Sequence, residues 1–210
     1  MRIQSVALLL SFALLAPPAL AGAQREEDLS ASVRAALHGA VSDRAAPEPV
    51  FPSATERVRW LGEMSQRLYK RIPDPQERLI FLKTVYYEAQ RAGLDPQLVL
   101  GLIQVESGFK KYAVSSVGAR GYMQVMPFWV RAIGTPDQNL FHLRTNLRYG
   151  CTILRHYLDI EKGDLYRALG RYNGSLGRPE YPNMVRASWE RNWSWQAAET
   201  LAQQPLPARN

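Results

Sequence analysis

The 210-residue chain has one cysteine, Cys151, so no disulfide can form within it. Its three histidines, His38, His142 and His156, show no metal-ligand spacing, and neither a metal centre nor a cofactor is expected. A glycine-rich phosphate loop and a G-x-S-x-G elbow are both missing, which removes the usual marks of phosphate cradles and serine hydrolases. Internal repeats and sustained apolar–polar alternation are missing too, which argues against solenoids and sheets. Beyond the N-terminal run, no stretch is apolar and long enough to span a bilayer. Finally, no Asp or Glu occurs from Ser107 to Pro136, while Lys110, Lys111, Arg120 and Arg131 do. An acid–base pair of neighbouring carboxylates is thereby excluded in that stretch. Any second carboxylate must come from farther away, with Asp137, Asp159 and Asp164 as the candidates.

What is present is enough for a core: 46% of residues are hydrophobic and five are Trp. The net charge of +7 suits solubility, or contact with nucleic acid, anionic lipid or another acidic polymer. Met1–Arg2 begins an N-terminus that continues with an apolar run, Val6–Leu15, then Pro17, Pro18 and the small residues "ALAGA". This pattern predicts a secretory signal peptide over 1–23, cut after Ala21 or Ala23. The remaining chain is expected to be exported to the periplasm, soluble and monomeric. An export signal and the lack of a recognition helix argue against nucleic acid as a partner.

Residues 24–54, rich in Ala, Pro and charge, read as a flexible linker, with at most a transient helix over 25–37. Val58, Leu61, Met64 and Leu68 recur at helix spacing and predict a helical extension over 55–75. Helix signals continue over 75–92, from the Asp95–Pro96 start onward, over 145–160 and over 164–172. Residues 110–136 and the stretch around Gly174, Gly177, Pro179 and Pro182 read as loops. The fold class is mainly α, with a catalytic domain over 76–192 and a disordered tail over 193–210.

"VLGLIQVESGF" (99–109) is the informative stretch. At ~100° per residue, Glu106 falls inside the arc of Val99, Leu102, Ile103 and Val105. The helix therefore aims a carboxyl group at the core face or at a cleft beside it. Loss of water and nearby C-terminal carbonyls both disfavour its charged form, so its pKa should rise. A general acid needs that property. A core-facing Glu tied to an Arg or Lys fits the same pattern, and spacing alone does not separate the two.

"VESGF" followed by "AVSSVGARGYMQVMP" (113–127) resembles the catalytic core of the soluble lytic transglycosylases, lysozyme-like enzymes that cleave bacterial peptidoglycan. "GLDPQLVLGLIQVES" (93–107), "NLRYGCTIL" (146–154) and "ALGRYNGS" (168–175) resemble further blocks of that family, in its order. The resemblance covers about 76–190 and implies a lysozyme-like α-helical fold with peptidoglycan glycan strands as partner. It implies Glu106 as the single catalytic acid/base, followed by the small polar Ser107. Ser115 matches a hydroxyl facing the reacting sugar. Gln124 and Met126 match cleft-lining residues, and Tyr172 and Asn173 match an aromatic–amide pair beside the acid, with Tyr172 positioned to bond Glu106. Tyr122 stands where an aliphatic residue is usual and is counted with the substrate-binding residues; Arg171 stands where a small residue is common.

The implied reaction breaks the β-1,4 bond between N-acetylmuramic acid and N-acetylglucosamine without water, closing a 1,6-anhydro ring. Some of Tyr112, Tyr122, Phe128 and Trp129 would stack on sugars. Lys110, Lys111, Arg120, Arg131, Arg144 and Arg148 would either line a groove for acidic peptide stems or form a solvated face. Two other readings stay open: a hydrolytic muramidase on the same fold, and an exported peptidoglycan-binding protein without turnover.

Overall fold

The computed structural model describes residues 24–42 and 48–196. The expected signal peptide over 1–23, the break at 43–47 and the tail from 197 lie outside the described residues. Eight α-helices follow in order: α1 Ala31–Ser42, α2 Ala54–Leu68, α3 Pro75–Arg91, α4 Pro96–Ser107, α5 Phe128–Ile133, α6 Leu143–Ile160, α7 Leu165–Asn173 and α8 Glu180–Ser188, with a π-helical turn at Trp189–Trp193. Strand pairing among the described residues is limited to the isolated bridges Val114–Arg120 and Arg120–Val125. The fold is mainly α, as expected.

The helices start where the sequence supplies caps. Ser53, Asp74 and Asp95 each accept hydrogen bonds from first-turn amides of α2, α3 and α4. Pro75 and Pro96 occupy first-turn positions, where no intrahelical acceptor is lost. The central helix is α4, buried on nearly all sides along Leu98–Ile103. It packs against α3, α8 and the π-helical turn, while α6 packs on α1, α3 and α7. Gly101 makes the α4 crossing possible, because a Cβ there would sit 2.9 Å from the Trp189 backbone. Helix α4 then ends at Gly108 in the left-handed conformation, φ 57°, one residue type that adopts it without cost.

Four expectations need correction. The 24–54 linker contains α1, whose Leu37 and Val41 are buried. His38 Nδ1 meets Ile133 O at 3.0 Å, and Gln138 donates to Val41 O at 3.3 Å. Farther along, Phe51 stacks on Tyr86 at 3.8 Å. Long-range packing, not local propensity, orders this segment.

The loop read around Pro179 and Pro182 is the start of α8. Pro182 lies in the first turn, where a missing N–H breaks no helical bond. Likewise, α5 lies within the expected 110–136 loop. The tail expected from 193 begins with an ordered segment: Trp193 is buried and donates to Gln104 at 2.8 Å, and Trp195 donates to Glu56 at 2.7 Å.

Among the described residues no helix is long and apolar enough to cross a membrane.

Candidate active site

Two carboxylates lie deep in the helical core, and they contrast. Glu88 on α3 is fully buried and faces three cations: Arg148 at 3.1 Å, Arg144 at 3.4 Å and Arg91 at 3.8 Å. Arg144 and Arg148 thus both pair with Glu88, and both also border a cavity of about 370 Å³ with Asp137 and His142. Glu106, in the last turn of α4, is 6% exposed and forms no ion pair among the described residues. The hydroxyl of Tyr181, on α8, donates to Glu106 Oε1. Glu106 Oε2 is buried with no partner among the described residues.

Burial pushes the Glu106 carboxyl up to about 8, and the Tyr181 hydrogen bond pulls back against that rise. The group is therefore mostly protonated at neutral pH. A buried neutral carboxyl with one oxygen held and the other unengaged is built to exchange a proton with something placed against it. Replacing Tyr181 by Phe removes the donor that favours the charged form. The Glu106 titration should then move above about 8, read by carbon NMR of the labelled carboxyl; an unmoved midpoint would remove Tyr181 from the site.

The loop over 113–127 forms the wall beside this acid. Ser107, next to Glu106, donates to Tyr122 O at 2.8 Å and so ties the end of α4 to the loop. Asn146 on α6 fastens the same loop: its Oδ1 accepts from Met123 N at 2.8 Å, and its Nδ2 lies 2.8 Å from Arg120 O and 2.9 Å from Leu140 O. Ser107→Ala leaves a buried carbonyl without its donor. It should lower stability by about 1–2 kcal/mol, measured by urea unfolding.

The residues singled out by the sequence meet different fates. Gln124 has φ 48° and donates to Ala113 O at 3.2 Å and Gly121 O at 2.9 Å. Its amide nitrogen closes the loop. Ser115 Oγ accepts from Ala119 N at 3.0 Å, a turn-capping role. Met126 is half-buried beside Trp129.

Tyr122 is corrected from wall to core. It packs on Phe81 with ring centroids 5.0 Å apart, and the loop backbone directs it between α3 and α4. Tyr172 is fully buried and donates to Met123 O at 2.8 Å, not to Glu106 as expected. Burial, and after it the nearby Glu106 carboxyl, hold the Tyr172 hydroxyl well above its ordinary pKa. Asn173 donates to Ser175 at 3.1 Å, and its Oδ1 is buried without a partner among the described residues.

The three distant acids are engaged elsewhere: Asp164 caps α7, Asp159 pairs with Arg155 at 2.6 Å, and Asp137 lies beside Tyr149. Among the described residues no three of His, Cys, Asp and Glu gather to hold a metal ion.

The reading from sequence missed Tyr181. Its one local signal was a tyrosine between two prolines behind an acidic residue, a pattern that also starts helices. It missed Gln24 as well, whose side chain reaches the loop wall from the far N-terminal end.

Comparison with known proteins bears on this arrangement. A family model described as "Transglycosylase SLT domain" matches residues 83–188. The chain is 33% identical over 99 residues to a transglycosylase of Enterobacteria phage PRD1, covering 47% of this chain and 36% of that protein. It is 49% identical over 47 residues to the membrane-bound lytic murein transglycosylase C of Actinobacillus pleuropneumoniae serotype 5b (strain L20), and 47% identical over 47 residues to that of Haemophilus influenzae (strain PittEE). Each of these two covers 22% of this chain and 13% of the relative. The chain thus covers only 13% to 36% of the length of these curated relatives.

Proposed function

Because this chain belongs to the transglycosylase SLT domain family, whose model covers residues 83–188, we propose that it is an exported lytic transglycosylase of peptidoglycan, with Glu106 as acid and then base. The observation that carries this reading is Glu106 itself: buried, unpaired with any described cation, with Oε2 unengaged and its pKa raised to about 8.

Most glycosidases use two carboxylates; here one must serve both steps. Protonated Glu106 gives its proton to the oxygen joining N-acetylmuramic acid to N-acetylglucosamine. The C1–O bond breaks through an oxocarbenium-like state, with the departing hydroxyl carrying that proton. The ionised carboxylate then takes the proton from the C6 hydroxyl of the same muramoyl ring. O6 closes on C1 and gives the 1,6-anhydro end, with no water consumed.

A pKa near 8 suits both halves. It keeps the acid protonated at neutral pH, and it makes the resulting carboxylate a stronger base than an ordinary Glu. Ring closure is intramolecular, so proximity supplies much of what a second catalytic group would. Tyr181 positions Oε1, and Oε2, with no partner among the described residues, is the oxygen left to carry the proton. Gln124, Met126, Tyr172, Asn173 and Ser115 shape the surrounding wall through the contacts described above.

Purified sacculi digested with the full chain test the reading. The expected soluble fragments are one water lighter than reducing-end fragments by mass spectrometry. Reducing ends would assign the chain to hydrolysis; binding to sacculi without any release would make it a non-catalytic glycan binder.

A further inference from the structure

Gln24 opens the described chain, yet it is only 5% exposed. Its carboxamide is fully read by the loop wall. Oε1 accepts from Met126 N at 3.3 Å and from the indole Nε1 of Trp129 at 3.1 Å. Nε2 lies 3.4 Å from Gln124 O. These groups gather two donors for a carbonyl oxygen and an acceptor for an amide N–H, in a pocket with apolar walls. The slot adjoins the acid through the loop itself: Ser107, the neighbour of Glu106, holds Tyr122 O at 2.8 Å, and Tyr172 holds the next carbonyl, Met123 O, at 2.8 Å.

A second anchor holds the segment. Glu27 pairs with Arg171 at 3.3 Å, the position where the resembled pattern usually has a small residue. Arg25, Glu27, Arg171, Gly174 and Leu176 border a cavity of about 260 Å³ at this anchor. Arg171 is itself held by Glu161 on its other side. The Glu27 ion pair and the Gln24 amide clip, three residues apart in the chain, fix one short segment against the 113–127 loop and α7.

We propose that residues 24–27 form an intramolecular occupant of the glycan cleft, with the Gln24 carboxamide standing in for an acetamido group of the substrate. The proposal rests on the peptidoglycan reading of the same site. A primary carboxamide and an N-acetyl group present the same pairing elements, a carbonyl oxygen beside an N–H, and the slot satisfies both. Substrate must therefore displace the segment, and the chain binds glycan with an affinity reduced by the fraction of open molecules. If nine molecules in ten are closed, the apparent dissociation constant rises roughly tenfold. Contacts at the segment's ends thereby set how readily the enzyme engages the wall.

The test is calorimetric titration of the full chain with tri-N-acetylchitotriose, and with the de-N-acetylated trimer as the arm that lacks acetamido groups. Gln24→Ala is expected to bind the acetylated trimer about tenfold tighter than wild type, with a smaller gain for the de-acetylated one. Glu27→Ala, which loosens the strap without touching the slot, is expected to gain affinity in the same direction. Hydrogen exchange supplies a readout on the unmutated protein: amides 25–30 should lose protection when the acetylated trimer binds.

Unchanged or weaker binding by Gln24→Ala overturns the proposal, as does full retention of protection in the liganded wild type. If wild type still releases anhydro fragments from sacculi, that failure belongs to the occupant alone. If no variant binds the trimer and sacculi stay intact, the occupant and the peptidoglycan reading fall together.

Discussion

In the Glu106→Gln variant, release of anhydro-terminated fragments from sacculi falls by at least about 10²–10⁴-fold, the range a positioned proton-transfer group supplies. The amide keeps the shape of the carboxyl and can still accept from Tyr181 through its carbonyl oxygen. It can neither give a proton to the glycosidic oxygen nor take one from the C6 hydroxyl. Both halves of the proposed cycle are lost together, and among the described residues no second carboxylate is placed to replace either. Fragment release measured by liquid chromatography with mass detection checks this. Release at even a tenth of the wild-type rate would show that another group carries the proton.

The same substitution should stabilise the fold at neutral and mildly alkaline pH. The folded carboxyl titrates near 8, while the unfolded one titrates near the ordinary 4.5. Below 4.5 both states hold the proton, and the carboxyl brings no penalty. Between the two values the folded state keeps a proton that the unfolded state releases, so stability falls as pH rises. Above about 8 the penalty levels off. Gln does not titrate and escapes this loss. At pH 7 the variant should gain up to about 3 kcal/mol over wild type, and the gap should close towards pH 4. Urea unfolding of both proteins across that range reads the difference directly. A gap independent of pH would mean that the folded carboxyl titrates like an exposed one, and the acid role would go with it.

That single substitution thus separates chemistry from packing: activity goes down while stability goes up. A residue kept for the fold would lose both. Such opposition between activity and stability is common where an active site holds a group in an unfavourable state.

Glu106 was legible because a helix imposes a period, and α4 carries apolar residues on every turn around the acid. The start at Asp95–Pro96 and the stop at Gly108 are local chemistry, so the limits of α4 could be read without its neighbours. Tyr181 could not be found that way. Its meeting with Glu106 depends on α8 crossing α4, and two flanking prolines suggested a loop. Tyr122 and Tyr172 illustrate a different limit. Their presence near the site was legible, but the direction of each side chain is set by backbone turns between residues 113 and 127 and by the packing of α7. Tyr122 went to the core and Tyr172 to a carbonyl. Helix α1 was hidden for a third reason: a helix this short is marginal by itself, and it gains its order by burying Leu37 and Val41.

The Asn146 amide grips the chain at Arg120, Met123 and Leu140. Both ends of the intervening segment are thus moored to one side chain on α6. Extra residues spliced between those moorings would build outward at one rim without disturbing the acid. Changes in length there would reshape that rim while leaving the Tyr181–Glu106 contact, carried by α8 and α4, in place.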